Sequence, residues 1–167
     1  MLTKKQLAAA RNRAIVAAQT GLKNAAALHY SEGSDRWQGI QNHDIPPKFP
    51  TEADCSSFVT WCLWNALNPL GIKDVVNGSG WKAGYTGTLL KHGKKIDIHS
   101  AIPGDVIIYG APGSTGAHTV IVVTAGPNPT VISNGSEAAP LHLPWNYRPD
   151  FLSCRRYISG RLNPHLH

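Results

Sequence analysis

The chain has 167 residues, 42% hydrophobic and 16% charged, with 16 Gly, 12 Pro and a formal net charge of +6. That apolar content excludes a disordered chain, the length suits one domain, and the Gly and Pro content argues for many turns rather than a plain helical bundle. No stretch approaches the roughly 20 uninterrupted apolar residues of a membrane-spanning helix.

In chain order, residues 3–29 are predicted helical: Leu7, Ala14, Ile15, Ala18 and Leu22 recur at helical spacing, and Thr20–Gly21 is where a break would fall. Arg11 and Arg13 interrupt the Ala-rich run where the apolar core of a secretory signal would lie, so the expectation is a chain made in the cytoplasm without an export signal. From Tyr30 to Pro50 the pattern dissolves into a polar and aromatic loop. Thr51 and Asp54 form a T-x-x-D capping pattern that opens a second helix with the apolar stripe Phe58, Val59, Cys62 and Ala66, ended by Pro69 and Gly71. Residues 71–100 are irregular. Pro103–Gly104–Asp105 then turns into a strand at Val106–Tyr109, followed by strands at His118–Thr124, Thr130–Ser133 and near Cys154–Ile158. Helices precede strands and the strand connections are short, so the class is α+β with helices packed on an antiparallel sheet. The expected organisation is a single domain over 1–167, with the helical segment 3–29 leading into a core of about 30–160.

The +6 charge favours encounter with polyanions. The basic residues are scattered, with no basic helix interleaved with aromatics and no zinc-finger spacing, so no nucleic-acid partner is expected. Cys55, Cys62 and Cys154 cannot all pair within the chain. Positions 55 and 62 lie about 10.5 Å apart along a helix, too far for a disulfide. A Cys-x2-Cys metal pair is absent as well, and no metal or cofactor is expected.

Cys55 falls in the first turn of the helix that the capping pattern predicts. Unpaired N–H groups and the helix dipole there favour a thiolate, so a lowered thiol pKa is expected. A nucleophilic thiol needs an imidazole, and His118 opens an apolar strand directly after a Gly-rich loop. A third polar group must orient that ring. The next strand runs back beside His118 and ends V-I-S-N-G-S-E, offering Asn134 and Glu137; the sequence leaves both open.

Three blocks, D-C-S-S-F at 54–58, P-G-D-V-I-I-Y at 103–109 and A-H-T-V-I-V-V at 117–123, resemble those of NlpC-type, papain-like cysteine peptidases. H-Y-S-E-G-S-D-R-W-Q-G-I, Y-T-G-T-L-L, S-N-G-S-E and Y-R-P-D further resemble the peptidase domains of bacteriophage endolysins, over about Tyr30 to Tyr157. The resemblance implies a cysteine peptidase or amidase cutting amide bonds in peptidoglycan stem peptides, with Cys55 as nucleophile and His118 as base. Many relatives carry His at the position of Asn134, some endolysins use a carboxylate, and papain-like enzymes outside the family use Asn, which again leaves Asn134 and Glu137 open. Tyr30, Arg36 and Trp37 would border the substrate groove, with Asp54 and Ser56 beside the nucleophile; packing of the loop onto the core is the alternative for its aromatics. The implied partner is bacterial peptidoglycan, met by a monomer released from the host cytoplasm. An N-acetylmuramoyl-L-alanine amidase, an acyltransferase or deamidase on the same Cys–His framework, and a non-catalytic wall-binding module are the competing readings.

Overall fold

The computed structural model describes residues 1–40, 49–136 and 138–164. Helix α1 (Lys4–Lys23) starts at Thr3, whose hydroxyl accepts from the Gln6 N–H while the Gln6 amide accepts from the Thr3 N–H. It presents a seam of small buried residues, Ala10, Ala14, Ala17, Ala18 and Gly21. The expected break at Thr20–Gly21 does not occur. A Cβ on Gly21 would fall 2.5 Å from the Phe58 ring, so glycine serves the close approach of two helices rather than a turn.

The second helix, α2 (Cys55–Leu67), begins later than the Thr51 pattern suggests. Glu52–Ala53 are already paired as a short strand, β2, parallel to β1 (His29–Tyr30), and Asp54 is the cap. Apart from Asn65, every residue of α2 is buried, because the helix lies between α1 and the main sheet. A third, short helix, α3, spans Thr86–Lys91.

The sheet contains β3 (Lys94–Ile96), β4 (Val106–Tyr109), β5 (His118–Thr124), β6 (Thr130–Gly135), β7 (Ala138–Pro144) and β8 (Phe151–Arg156). Its order is β3-β8-β4-β5-β6-β7, and all neighbours are antiparallel. The strands β4 and β5 match the sequence expectation, β6 runs on to Gly135, and β8 starts at Phe151 instead of Cys154. The edge strands β3 and β7 were not anticipated. Alternation along the strands divides the apolar residues between two cores. Val106, Ile108, Ile121, Val123 and Ile132 meet the helices, while Ile107, Tyr109, Val120, Val122 and Val131 pack with Ile98 and Cys154 on the far face.

Two carboxylates organise the connections. Fully buried Asp105 accepts from the Ile102 N–H and forms an ion pair with Arg156 at 2.8 Å, with Arg11 of α1 at 4.0 Å. Gly104 supplies the φ of +90° that this P-G-D turn needs. Residues 71–85 hold no helix or strand. There the Asp74 carboxylate accepts from the N–H groups of Val76 and Asn77 through Oδ1, and of Ser79, Gly80 and Trp81 through Oδ2. All three cysteines are free thiols. Among the described residues no helix is long and apolar enough to cross a membrane.

Candidate active site

Asp54 builds the start of α2. Its side chain accepts from the Ser57 N–H at 2.7 Å, the Ser57 hydroxyl accepts in return from the Asp54 N–H at 2.9 Å, and the Asp54 carbonyl takes the Phe58 N–H. Cys55 is therefore the first helical residue. It lies at an open cavity of about 580 Å³ that is also lined by Tyr30, Glu32, Arg36, Asp54, Ser56, Tyr85, Thr86, the 113–117 loop, His118, Ser136 and Arg148. The fold thus brings positions 55 and 118 to one cavity, from the N-terminus of α2 and the first residue of β5.

The thiol is not predisposed to ionise in the way the helix start alone suggests. Burial and the nearby Asp54 charge push the Cys55 pKa up to about 11, against the opposing pull of hydrogen bonds from the Thr119 N–H, the Thr86 hydroxyl and the Ser56 N–H. Desolvation outweighs the helix-terminal donors and favours the protonated thiol, opposite to the lowering expected from the helix start. Ionising Cys55 near neutral pH requires a base.

His118 is held on the far face of the sheet. It pairs in register with Tyr109, and their ring centroids lie 6.5 Å apart with 22° between planes. Its Nε2 shares a 2.7 Å hydrogen bond with the Ser133 hydroxyl, which lies 3.4 Å from the Tyr147 hydroxyl. Of the two residues considered for orienting this ring, Glu137 lies outside the described residues. Asn134 faces the other way: its Nδ2 donates to the carbonyls of Ala53 at 3.0 Å and Asp54 at 3.3 Å.

The reason is a register shift. β5 and β6 pair Thr124 with Thr130 near their turn, but Val122 with Val131 and Ile121 with Ile132 beyond an irregularity. Continuing the turn-end register would set Asn134 opposite Val120, on the face of His118. The shift puts Ser133 there and turns Asn134 toward α2.

Of the proposed groove residues, Tyr30, Arg36, Asp54 and Ser56 line the cavity, and Trp37 does not. Trp37 packs on the helix-side core under the Arg36 guanidinium, 5.1 Å from its ring centroid, so for this residue loop packing prevails over groove lining. Arg36 donates to the Glu32 carbonyl at 2.7 Å and lies 3.5 Å from the Asp54 carboxylate. The Ser56 hydroxyl donates to Asp54 at 3.1 Å, and the Tyr30 hydroxyl donates to Glu32 at 3.2 Å. Burial, with the charges of Cys55, Glu32 and Asp54, holds the Tyr30 phenol protonated well above its ordinary range.

Across the cavity, Arg148 pairs with Asp150, donates to the Gly116 carbonyl at 2.7 Å and lies over the Tyr109 ring, bracing the loop that leads into His118. Thr86, Ser133 and Arg148 were not singled out from the sequence. The Y-T-G-T-L-L and Y-R-P-D strings contained two of them, but nothing in those strings shows which side chain reaches the thiol. Among the described residues no group of three His, Cys, Asp or Glu side chains is arranged to hold a metal ion.

No protein-family model and no curated protein matches this chain. Among solved structures, it is similar to NlpC1 from Trichomonas vaginalis, with a TM-score of 0.59 and 20% identity, over 88% of this chain and 44% of that one. It also resembles an NlpC/P60 family protein from Bacillus cereus, with a TM-score of 0.48 and 20% identity, over 66% of this chain and 33% of that one. The aligned region therefore spans less than half the length of either. At such identity the likeness to NlpC1 is one of architecture: the helices on an antiparallel sheet form an α+β, papain-like NlpC fold.

Proposed function

We propose that the chain is a peptidoglycan hydrolase of the phage endolysin type, a cysteine peptidase that cuts amide bonds of cell-wall stem peptides. The observation that carries this reading is the meeting of a helix-starting Cys55 and a strand-starting His118 at one open, polar cavity in an NlpC fold. The residue strings that resemble those of endolysin peptidase domains suggest the substrate class, and the +6 charge suits an anionic wall.

In this reading His118 takes the Cys55 proton as the sulfur attacks the amide carbonyl, so the imidazole overcomes the thiol's high pKa as the new bond forms. The backbone N–H of Cys55 at the helix start is a donor for the tetrahedral oxyanion. Collapse to the thioester expels the amine, which receives the proton from His118, and the same ring then activates the water that releases Cys55. Ser133 keeps the ring aligned through Nε2. Tyr30, Arg36, Asp54 and Ser56 form the polar wall against which the peptide lies.

Mass spectrometry of purified peptidoglycan digested by wild type and by Cys55→Ser tests this. Stem-peptide fragments from wild type alone are expected; equal fragments at equal rates from both would remove Cys55 as nucleophile. The low exposure of Cys55, 6%, favours one other reading, a wall-binding module with an inert thiol. That reading requires binding to peptidoglycan with no fragments from either protein.

A further inference from the structure

We propose that Ser133 and Asn134 together act as a two-sided positioning clip that sets the nucleophile and the base relative to each other. Consecutive residues of a strand face opposite sides of the sheet. Here Ser133 reaches the His118 ring on one side, and Asn134 reaches the two carbonyls immediately before Cys55 on the other. The Asp54 carbonyl that Asn134 holds also accepts the first helical hydrogen bond of α2, from Phe58. One rigid dipeptide thereby spans both elements that carry the chemistry.

The unequal use of the Asn134 amide supports this. Asn134 is 1% exposed, its Nδ2 serves two carbonyls, and its buried Oδ1 has no hydrogen-bond partner among the described residues. The two facing carbonyls fix which end of the amide points toward α2. A buried acceptor left unsatisfied is costly, and the pinning of the residues ahead of the nucleophile is what this amide does in return. Asn134 is a positioning residue: it touches neither His118 nor, in the mechanism above, the reacting atoms.

The inference rests on the Cys55–His118 reading, but its test needs no peptidoglycan. Iodoacetamide alkylation of Cys55 in the full chain, located by peptide mass mapping, is followed from neutral pH up to about 11, where the thiol ionises unaided. His118→Ala measures the imidazole-assisted rate at neutral pH. Ser133→Ala and Asn134→Ala are each expected to lose that assistance, a fall of about tenfold or more at neutral pH, while reacting like wild type at the alkaline end. Ser133→Thr, which keeps the hydroxyl, is expected to retain the neutral rate.

Circular dichroism establishes that the variants are folded; Asn134→Ser, which is uncharged and too short to span both carbonyls, serves if Asn134→Ala does not fold. A folded Asn134 variant with the wild-type neutral rate, whatever its melting temperature, would overturn the clip, as would a His118→Ala rate equal to wild type. Loss of assistance in both single variants, in a protein that releases no wall fragments, would keep the clip and sink the peptidoglycan reading.

Discussion

Helix α2 borders two concavities of opposite character. At its first turn lies the polar cavity of about 580 Å³, edged by hydroxyls, two acids and two arginines. Against its outer side lies a groove of about 360 Å³ lined by Val16, Ala17, Phe49, Trp61, Trp64 and Pro69, with Arg13 at its border. The groove is the more apolar, and among the described residues that line it none pairs a thiol with an imidazole. In the cavity, groups that would be cheaper to leave in water are held at fixed positions by Asp54, Ser133 and Asn134. Side chains in the groove contribute burial, whereas those in the cavity give up some burial for orientation.

Substitutions on the two sides of α2 should therefore have opposite signatures. Cys55→Ser is expected to have the largest effect, lowering fragment release by about a thousandfold or more while leaving the melting temperature nearly unchanged. Turnover assays beside thermal melts check both. Trp64→Ala should do the reverse. Its 3% exposed side chain is worth about 3–5 kcal/mol of stability, and turnover per folded molecule should stay at the wild-type level, as denaturant melts and active-site titration would show. A Trp64 variant that stays stable but loses turnover would break the comparison.

Arg36→Ala sharpens it on the cavity side. Removing a wall residue that neither attacks nor transfers protons should raise KM about three- to tenfold with kcat largely kept, provided the loop holds its place; steady-state kinetics on a soluble stem peptide separate the two constants. Glu137→Gln compared with Ser133→Ala then distinguishes the two candidates for orienting His118: the larger loss of kcat identifies the group on which the ring depends.

The last expected effect is confined to alkaline pH and concerns the pH dependence of stability. Burial raises the Cys55 and Cys154 thiols from 9.0 to about 11 and about 12, and Cys62 is raised as well. A raised pKa means that the folded state favours the protonated thiol. Their contribution is thus complete below pH 9.0 and is lost as pH rises through about 11 to 12. Urea melts across the alkaline range are expected to show this decline, shallower in Cys154→Ala.

What the sequence disclosed depends on how local the determinant was. The start of α2 was legible to within a turn because Thr51 and Asp54 form a local capping pattern, although the cap itself is Asp54 with Ser57; β4 and β5 were legible because apolar runs follow turn residues. The register of β6 was not legible. One irregularity between Val122 and Thr124 decides whether Ser133 or Asn134 faces His118, and residue types do not announce it. The strand β7 was not legible in the sequence: Pro140 and Pro144 are poor strand residues, tolerated here because β7 lies at the sheet edge. The direction of the thiol pKa was not legible, because helix-end donors can be counted along the chain whereas desolvation depends on what the rest of the molecule places around the sulfur.

The five amides gathered on Asp74 give an otherwise unstructured stretch the coherence of a regular element. That stretch leads directly into Tyr85 and Thr86 at the cavity. Its backbone should therefore exchange hydrogen with solvent as slowly as a helix does, and as one unit. Asp74→Ala should release all five amides together and let a protease enter there first. A change remote from the sulfur would in this way set how long the Thr86 hydroxyl stays beside it.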